Sequence, residues 1–178
     1  MKDKECDIGL FGLGVMGGNF ALNMADHGFS VGVYNRTKEK THEFMENDVG
    51  DRKIRAAYTV ADFISLLKRP RAILISVPAG DPVDQVIDEI TLGLQSGDLV
   101  VDTGNSHFRD TDRRYESLSK NGLLFLGMGI SGGEDGARHG PSLMPGGSKE
   151  GYERIRPIVE AAAAQIDGAP CVAYLGPG

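Results

Sequence analysis

Short apolar blocks alternate along this chain with longer amphipathic or charged stretches. Residues 8–11, 31–34, 72–77, 99–101 and 123–126 are apolar runs of strand length, and the β-branched run at 72–77 is the clearest. Between the first two, residues 17–27 carry Phe20, Leu22, Met24 and Ala25 at helical spacing, and Gly28 stops the helix. Residues 37–47 read as a surface helix capped by Thr37. A short third strand is expected at 55–58, and a helix at 59–67 that ends before Pro70. Asp81 reads as an N-cap with Pro82 at the first helical position, opening a helix that runs to about Leu94. Charged residues 110–120 and residues 149–165 complete the helices, and 171–175 reads as a last strand. Strand and helix alternating in this way predict an α/β fold: a doubly wound, mainly parallel sheet with helices on both faces. No repeat or linker interrupts the pattern, so residues 1–178 are expected to form one domain.

Composition narrows the function classes. The net charge of −6 gives no general attraction for nucleic acid or for an anionic membrane surface, so an anionic ligand needs a local site. The two cysteines, Cys6 and Cys171, have no metal or redox spacing, and a reduced, cytoplasmic protein is expected. The first residues, Met1 to Asp7, lack the apolar core of a signal peptide. No apolar run approaches the ~20 residues needed to span a bilayer. The four histidines, His27, His42, His107 and His139, show no metal-ligand spacing; His27 and His42 are expected on helix surfaces, the others in polar loops.

Gly12-Leu13-Gly14-Val15-Met16-Gly17 is a G-x-G-x-x-G run placed after a strand and at the start of a helix. That context is what a dinucleotide needs: a tight turn, close approach of backbone to the pyrophosphate, and close packing of helix on strand. The free N–H groups and dipole at the helix start attract the phosphates. The sheet is therefore expected to be of the Rossmann type. At the end of the second strand an NAD site places an acid for the ribose hydroxyls. Here the residues are Asn35-Arg36-Thr37, with no carboxylate to repel a 2′-phosphate. Arg36 can pair with that phosphate, with Asn35 and Thr37 as further donors, and NADP is the expected cofactor. The missing acid also argues against S-adenosylmethionine.

Two further loops follow strands and should line the same crevice: Val77-Pro78-Ala79-Gly80 and Asp102-Thr103-Gly104-Asn105-Ser106. Asn105 and Ser106 offer neutral donors and acceptors, or else close an Asx-type turn. Asp102 is expected to bond backbone rather than act as a base. Residues 131–147 hold six glycines and two prolines in seventeen positions, which reads as a shaped loop around a small polar ligand. The amides of Ser131, Gly132 and Gly133 could form an anion-binding nest there. No general acid or base stands out, although hydride chemistry on an alcohol needs one.

Taken together, the fingerprint, Asn35-Arg36-Thr37, Asp102-Thr103-Gly104-Asn105-Ser106 and the 131–147 segment resemble the 6-phosphogluconate dehydrogenases, the decarboxylating NADP enzymes of the pentose phosphate route. The resemblance covers essentially the whole chain. It implies that Gly12 to Gly17, Asn35 to Thr37, and Val77, Pro78 and Ala79 hold NADP, that Asn105 touches cofactor and substrate, and that Ser131, Gly132 and Gly133 bind 6-phosphogluconate. The family oxidises the C3 hydroxyl by hydride transfer, the β-keto acid loses carbon dioxide, and the enediol is protonated to ribulose 5-phosphate. It uses a lysine base and a glutamate acid from a following all-helical domain, so no catalytic residue is expected in this chain. The family dimerises largely through that domain; a homodimer is implied for the longer protein and a monomer for this chain. Pro78 stands where many members have lysine, Gly14 where many have alanine, and Thr103 where glycine is common. A shorter-acid β-hydroxyacid dehydrogenase of the 3-hydroxyisobutyrate type and a non-catalytic NADP sensor are the alternatives.

Overall fold

The computed structural model describes residues 5–177. The charged start of the chain at residues 1–4 and the terminal Gly178 lie outside the described residues. In chain order the elements are β1 (Ile8–Phe11), α1 (Val15–Asp26), β2 (Val31–Tyr34), α2 (Lys38–Asn47), β3 (Ile54–Ala56), α3 (Val60–Ser65) and β4 (Ala72–Ile75). The second half runs α4 (Asp81–Thr91), β5 (Leu99–Asp102), α5 (Phe108–Lys120), β6 (Leu124–Ser131), α6 (Gly133–His139), β7 (Ser142–Gly147), α7 (Lys149–Ala162), β8 (Gln165–Ile166) and β9 (Ala169–Pro170).

Seven strands form one sheet in the order β3-β2-β1-β4-β5-β6-β7. Every pair is parallel except β6 with β7. Both faces are covered, which is why the parallel strands read as unbroken apolar runs. Alternate residues feed opposite layers. Ile8, Leu10 and Leu74 pack with Phe20, Met24, Ile155 and Val159 on one face. Phe11, Ile73 and Ile75 pack with Phe63, Val83, Ile90 and Phe125 on the other. The chain changes its direction of winding between β1 and β4, and the crevice at the carboxyl ends of those two strands is where such sheets take ligands.

The 131–147 segment departs from the expected loop. β6 continues to Ser131, α6 follows, and β7 returns antiparallel with Ser131 opposite Ser142 and Leu126 opposite Gly147. Gly132, Gly140 and Gly147 allow close backbone approach: a Cβ on Gly147, at φ +123°, would stand 2.6 Å from the Phe125 carbonyl oxygen. Other boundaries shift for local reasons. Gly80 is the N-cap of α4, so Asp81 is its first residue and not its cap. Thr37 precedes α2 in an extended conformation, but its side chain makes no capping bond. Thr59 caps α3 by accepting from the Asp62 amide, and β3 occupies 54–56 instead of 55–58. α7 ends at Ala162, and Gln165 instead opens the small β8–β9 hairpin. Residues 171–175 form no strand; they run beside β7, with Leu143 donating to the Cys171 carbonyl and Leu175 to that of Pro145. Among the described residues no helix is long and apolar enough to cross a membrane.

Candidate functional site

The glycine run crosses the carboxyl end of β1 and enters α1. Gly12 has φ +108°, a backbone state that side chains resist, and a Cβ on Gly17 would sit on the Gly12 carbonyl oxygen. Gly14 is different: nothing lies within 4 Å of the Cβ it lacks, so its surface is open to a ligand. Gly14 is also the N-cap of α1, no side chain caps the helix, and its first turn contains no acid. The first-turn amides are thus left for an anion. This arrangement fits a dinucleotide pyrophosphate, because backbone can reach it where a side chain would intrude.

Asn35 fastens this loop to β2. Its Oδ1 accepts from the Leu13 amide at 3.0 Å, and its Nδ2 donates to the Thr37 carbonyl at 3.1 Å. Arg36 is not a bare solvated side chain. Its Nε and Nη2 donate to Glu89 Oε2 at 3.4 and 3.2 Å, and its Nη1 to Gln85 Oε1 at 3.2 Å, both acceptors on α4. Leu13 is buried, while Thr37 is exposed.

Across the crevice, a cleft of about 310 Å³ is lined by Gly14, Val15, Met16 and Gly17 on one side and by Ser76, Val77, Pro78 and Thr103 to Asn105 on the other, with Ile130 at its end. It joins three of the segments singled out in the sequence. Thr103 and Gly104 line it as the sequence suggested, whereas Ser76 and Ile130 were not anticipated. Ser76 lies against Gly17, and the Thr103 hydroxyl donates to the Ile75 carbonyl at 2.8 Å. Ala79 is exposed and stands outside this lining. Ser131, Gly132 and Gly133 are likewise exposed and outside it, one step beyond Ile130. Gly132 and Gly133 both have positive φ, at 127° and 62°, at the start of α6. Among the residues lining the cleft none has a titratable side chain.

Asn105 sits at φ 55° and ties its loop to β6, accepting from the Ile130 amide at 3.1 Å and donating to the Ile130 carbonyl at 3.4 Å. An amide can make four hydrogen bonds, so one N–H and one lone pair are left over. Ser106 is committed elsewhere. Its hydroxyl donates to Asp102 Oδ2 at 2.6 Å and accepts from Arg114 Nη1 at 2.9 Å.

Arg114 is the residue that sequence reasoning missed. It is 2% exposed and all its N–H groups have acceptors. Nε and Nη2 form a fork onto Asp84, at 2.8 and 3.1 Å; Nη1 reaches Asp102 Oδ2 at 3.0 Å, and Nη2 also donates to the Gly80 carbonyl at 3.0 Å. One guanidinium therefore joins the loop after β4, the loop after β5, and α4. Hydrogen bonding from Arg114, with help from Arg113, holds the Asp84 carboxyl down at about 2. The available signal was spacing: Arg114 lies four residues before Leu118, on the buried face of α5. Asp102 bonds structure, as expected, and its Oδ1 accepts from the Gly104 amide at 2.9 Å. His107 caps α5 by accepting from the Arg109 amide, and exposed His139 meets Asp135 at 3.0 Å.

Comparison with known proteins follows the same lines. The chain is 53% identical over 173 residues to decarboxylating 6-phosphogluconate dehydrogenase 1 of Saccharomyces cerevisiae, covering 97% of this chain and 35% of that protein. It is 54% identical over 171 residues to the decarboxylating enzyme of Synechococcus elongatus, covering 96% of this chain and 36% of that one. It thus spans about a third of the length of these curated relatives. The 6-phosphogluconate dehydrogenase of Plasmodium falciparum, solved with its cofactor NADP+ and with its substrate, superposes with a TM-score of 0.93 at 43% identity, over 97% of this chain and 37% of that one. A 3-hydroxyisobutyrate dehydrogenase of Mycobacterium tuberculosis shares the fold, with a TM-score of 0.80, at only 19% identity. A profile of the NAD binding domain of 6-phosphogluconate dehydrogenase matches residues 7–176. With fold, cleft and fingerprint in agreement over nearly its full length, the chain belongs to the family of the NAD binding domain of 6-phosphogluconate dehydrogenase.

Proposed function

We propose that this chain is the NADP-holding part of a decarboxylating 6-phosphogluconate dehydrogenase. The observation that carries the reading is the meeting of an open, uncapped glycine turn with a cleft that has no titratable lining. The amides of Gly14 to Gly17 would take the pyrophosphate. Arg36 would take the 2′-phosphate, flanked by Asn35 and Thr37, and Val77, Pro78 and Ala79 would lie along the cofactor. Bound NADP supplies the hydride acceptor. The remaining polar atoms of Asn105 would face both cofactor and substrate. The amides of Ser131, Gly132 and Gly133 would hold 6-phosphogluconate at the rim beyond Ile130.

A cleft with these walls orients an alcohol against a hydride acceptor but cannot take its proton. The base and acid for oxidation and decarboxylation would then come from chain outside this cleft, in a following helical domain that also forms the homodimer. The two unpaired cysteines, one buried, suit a cytoplasmic setting. Calorimetric titration with NADPH and NADH tests the reading. NADPH is expected to bind more tightly, with the preference collapsing in Arg36→Ala, and the chain given 6-phosphogluconate and NADP is expected to produce no NADPH. Equal affinity for both cofactors, or turnover by the chain alone, would contradict it.

A further inference from the structure

We infer that Glu89 on α4 sets how strongly this site prefers a 2′-phosphorylated cofactor, by competing with the phosphate for Arg36. The inference rests on the NADP reading of Arg36. A guanidinium pairs best with phosphate through two parallel N–H donors. In Arg36 the Nε/Nη2 edge is already given to Glu89 Oε2, and Nη1 to Gln85 Oε1. A phosphate must therefore displace an acceptor or share the cation with a carboxylate. Sharing places like charges close together on a phosphate of about −1.5 to −2. Gln85 is neutral and opposes nothing, so the electrostatic cost falls on Glu89. Both partners of the pair are partly exposed, 50% for Arg36 and 35% for Glu89, so the contact can open. A cofactor with a bare 2′-hydroxyl brings no charge to this position and does not meet that cost.

Glu89→Gln keeps the shape of the side chain and removes its charge; Glu89→Lys reverses it. On the scale of exposed ion pairs, the neutral variant should bind NADPH up to about fivefold more tightly while its affinity for NADH stays put. The lysine variant should move further in the same direction, and both gains should shrink at high salt. Titration of NADPH and NADH into wild type, Glu89→Gln, Glu89→Lys and Arg36→Ala decides the matter. If Arg36→Ala abolishes the NADPH preference but the Glu89 variants leave the ratio of affinities unchanged, the role of Glu89 is overturned and the NADP reading stands. Weaker NADPH binding in Glu89→Gln would also overturn it, because Glu89 would then be orienting Arg36 for the phosphate. An unchanged ratio in Arg36→Ala removes the NADP reading and this inference with it.

Discussion

Gly14 and Gly17 stand in one fingerprint, yet they answer a side chain in opposite ways. At Gly14 the backbone is extended, with φ −74° and ψ 179°, and the space beyond is empty. Gly14→Ala is expected to fold with stability within about 0.5 kcal/mol of wild type, as for an open surface site. At Gly17 a methyl would meet the Gly12 carbonyl, so α1 must move off β1. Gly17→Ala is expected to lose about 1–3 kcal/mol or more, the range for overpacking. Thermal or urea denaturation of the two variants checks this; equal losses would show that the turn does not depend on contact between α1 and β1. The fingerprint was legible because spacing encodes backbone geometry. Arg36 was only half legible: its position followed from the motif, but Glu89 lies fifty-three residues away in sequence and no local pattern could reveal it.

The loops and helices around the crevice depend on Arg114. With Asp102 only 2% exposed, removing its cation leaves an uncompensated charge in the interior. Arg114→Met is expected to cost about 3–5 kcal/mol, the range for breaking a buried pair by deleting one partner. Acid unfolding adds a second signature. Asp84 is held near 2 in the folded chain against an ordinary 3.8, so between those values the unfolded chain binds more protons. Its contribution is complete above about pH 4 and fades as the pH falls toward 2. In Arg114→Met the loss of stability over that interval should be shallower than in wild type, as read from urea midpoints at several pH values; an unchanged slope would mean that Arg114 does not hold Asp84. Among the elements themselves, β1, β2, β4 and β5 were legible because strands buried on both faces read as apolar runs. β6 past Leu126 and β7 were not. Gly127, Gly129, Gly146 and Gly147 dilute their apolar pattern; Thr111 packs against Gly127, Met144 against Gly129, and the Phe125 backbone against Gly147. Glycine used for close approach and glycine used for a loop look the same in a sequence.

At the scale of the whole molecule, the sheet puts every candidate segment on one side. The carboxyl ends of β1, β4 and β5 deliver the glycine turn, Val77, Pro78 and Asn105 to a single cleft, Asn35 to Thr37 follow the carboxyl end of neighbouring β2, and Ser131 to Gly133 stand at the end of the longer β6. On the proposed reading, that division separates a cofactor half from a substrate rim. It also predicts the footprint of a bound dinucleotide. Amide NMR shifts recorded as NADPH is added test the central claim most directly. The account predicts that the largest changes fall on Gly12 to Gly17, Asn35 to Thr37 and Val77 to Ala79, with little change along α7 or the β8–β9 hairpin. Shifts concentrated instead between α5 and β7, around Phe108 and Met144, would contradict it.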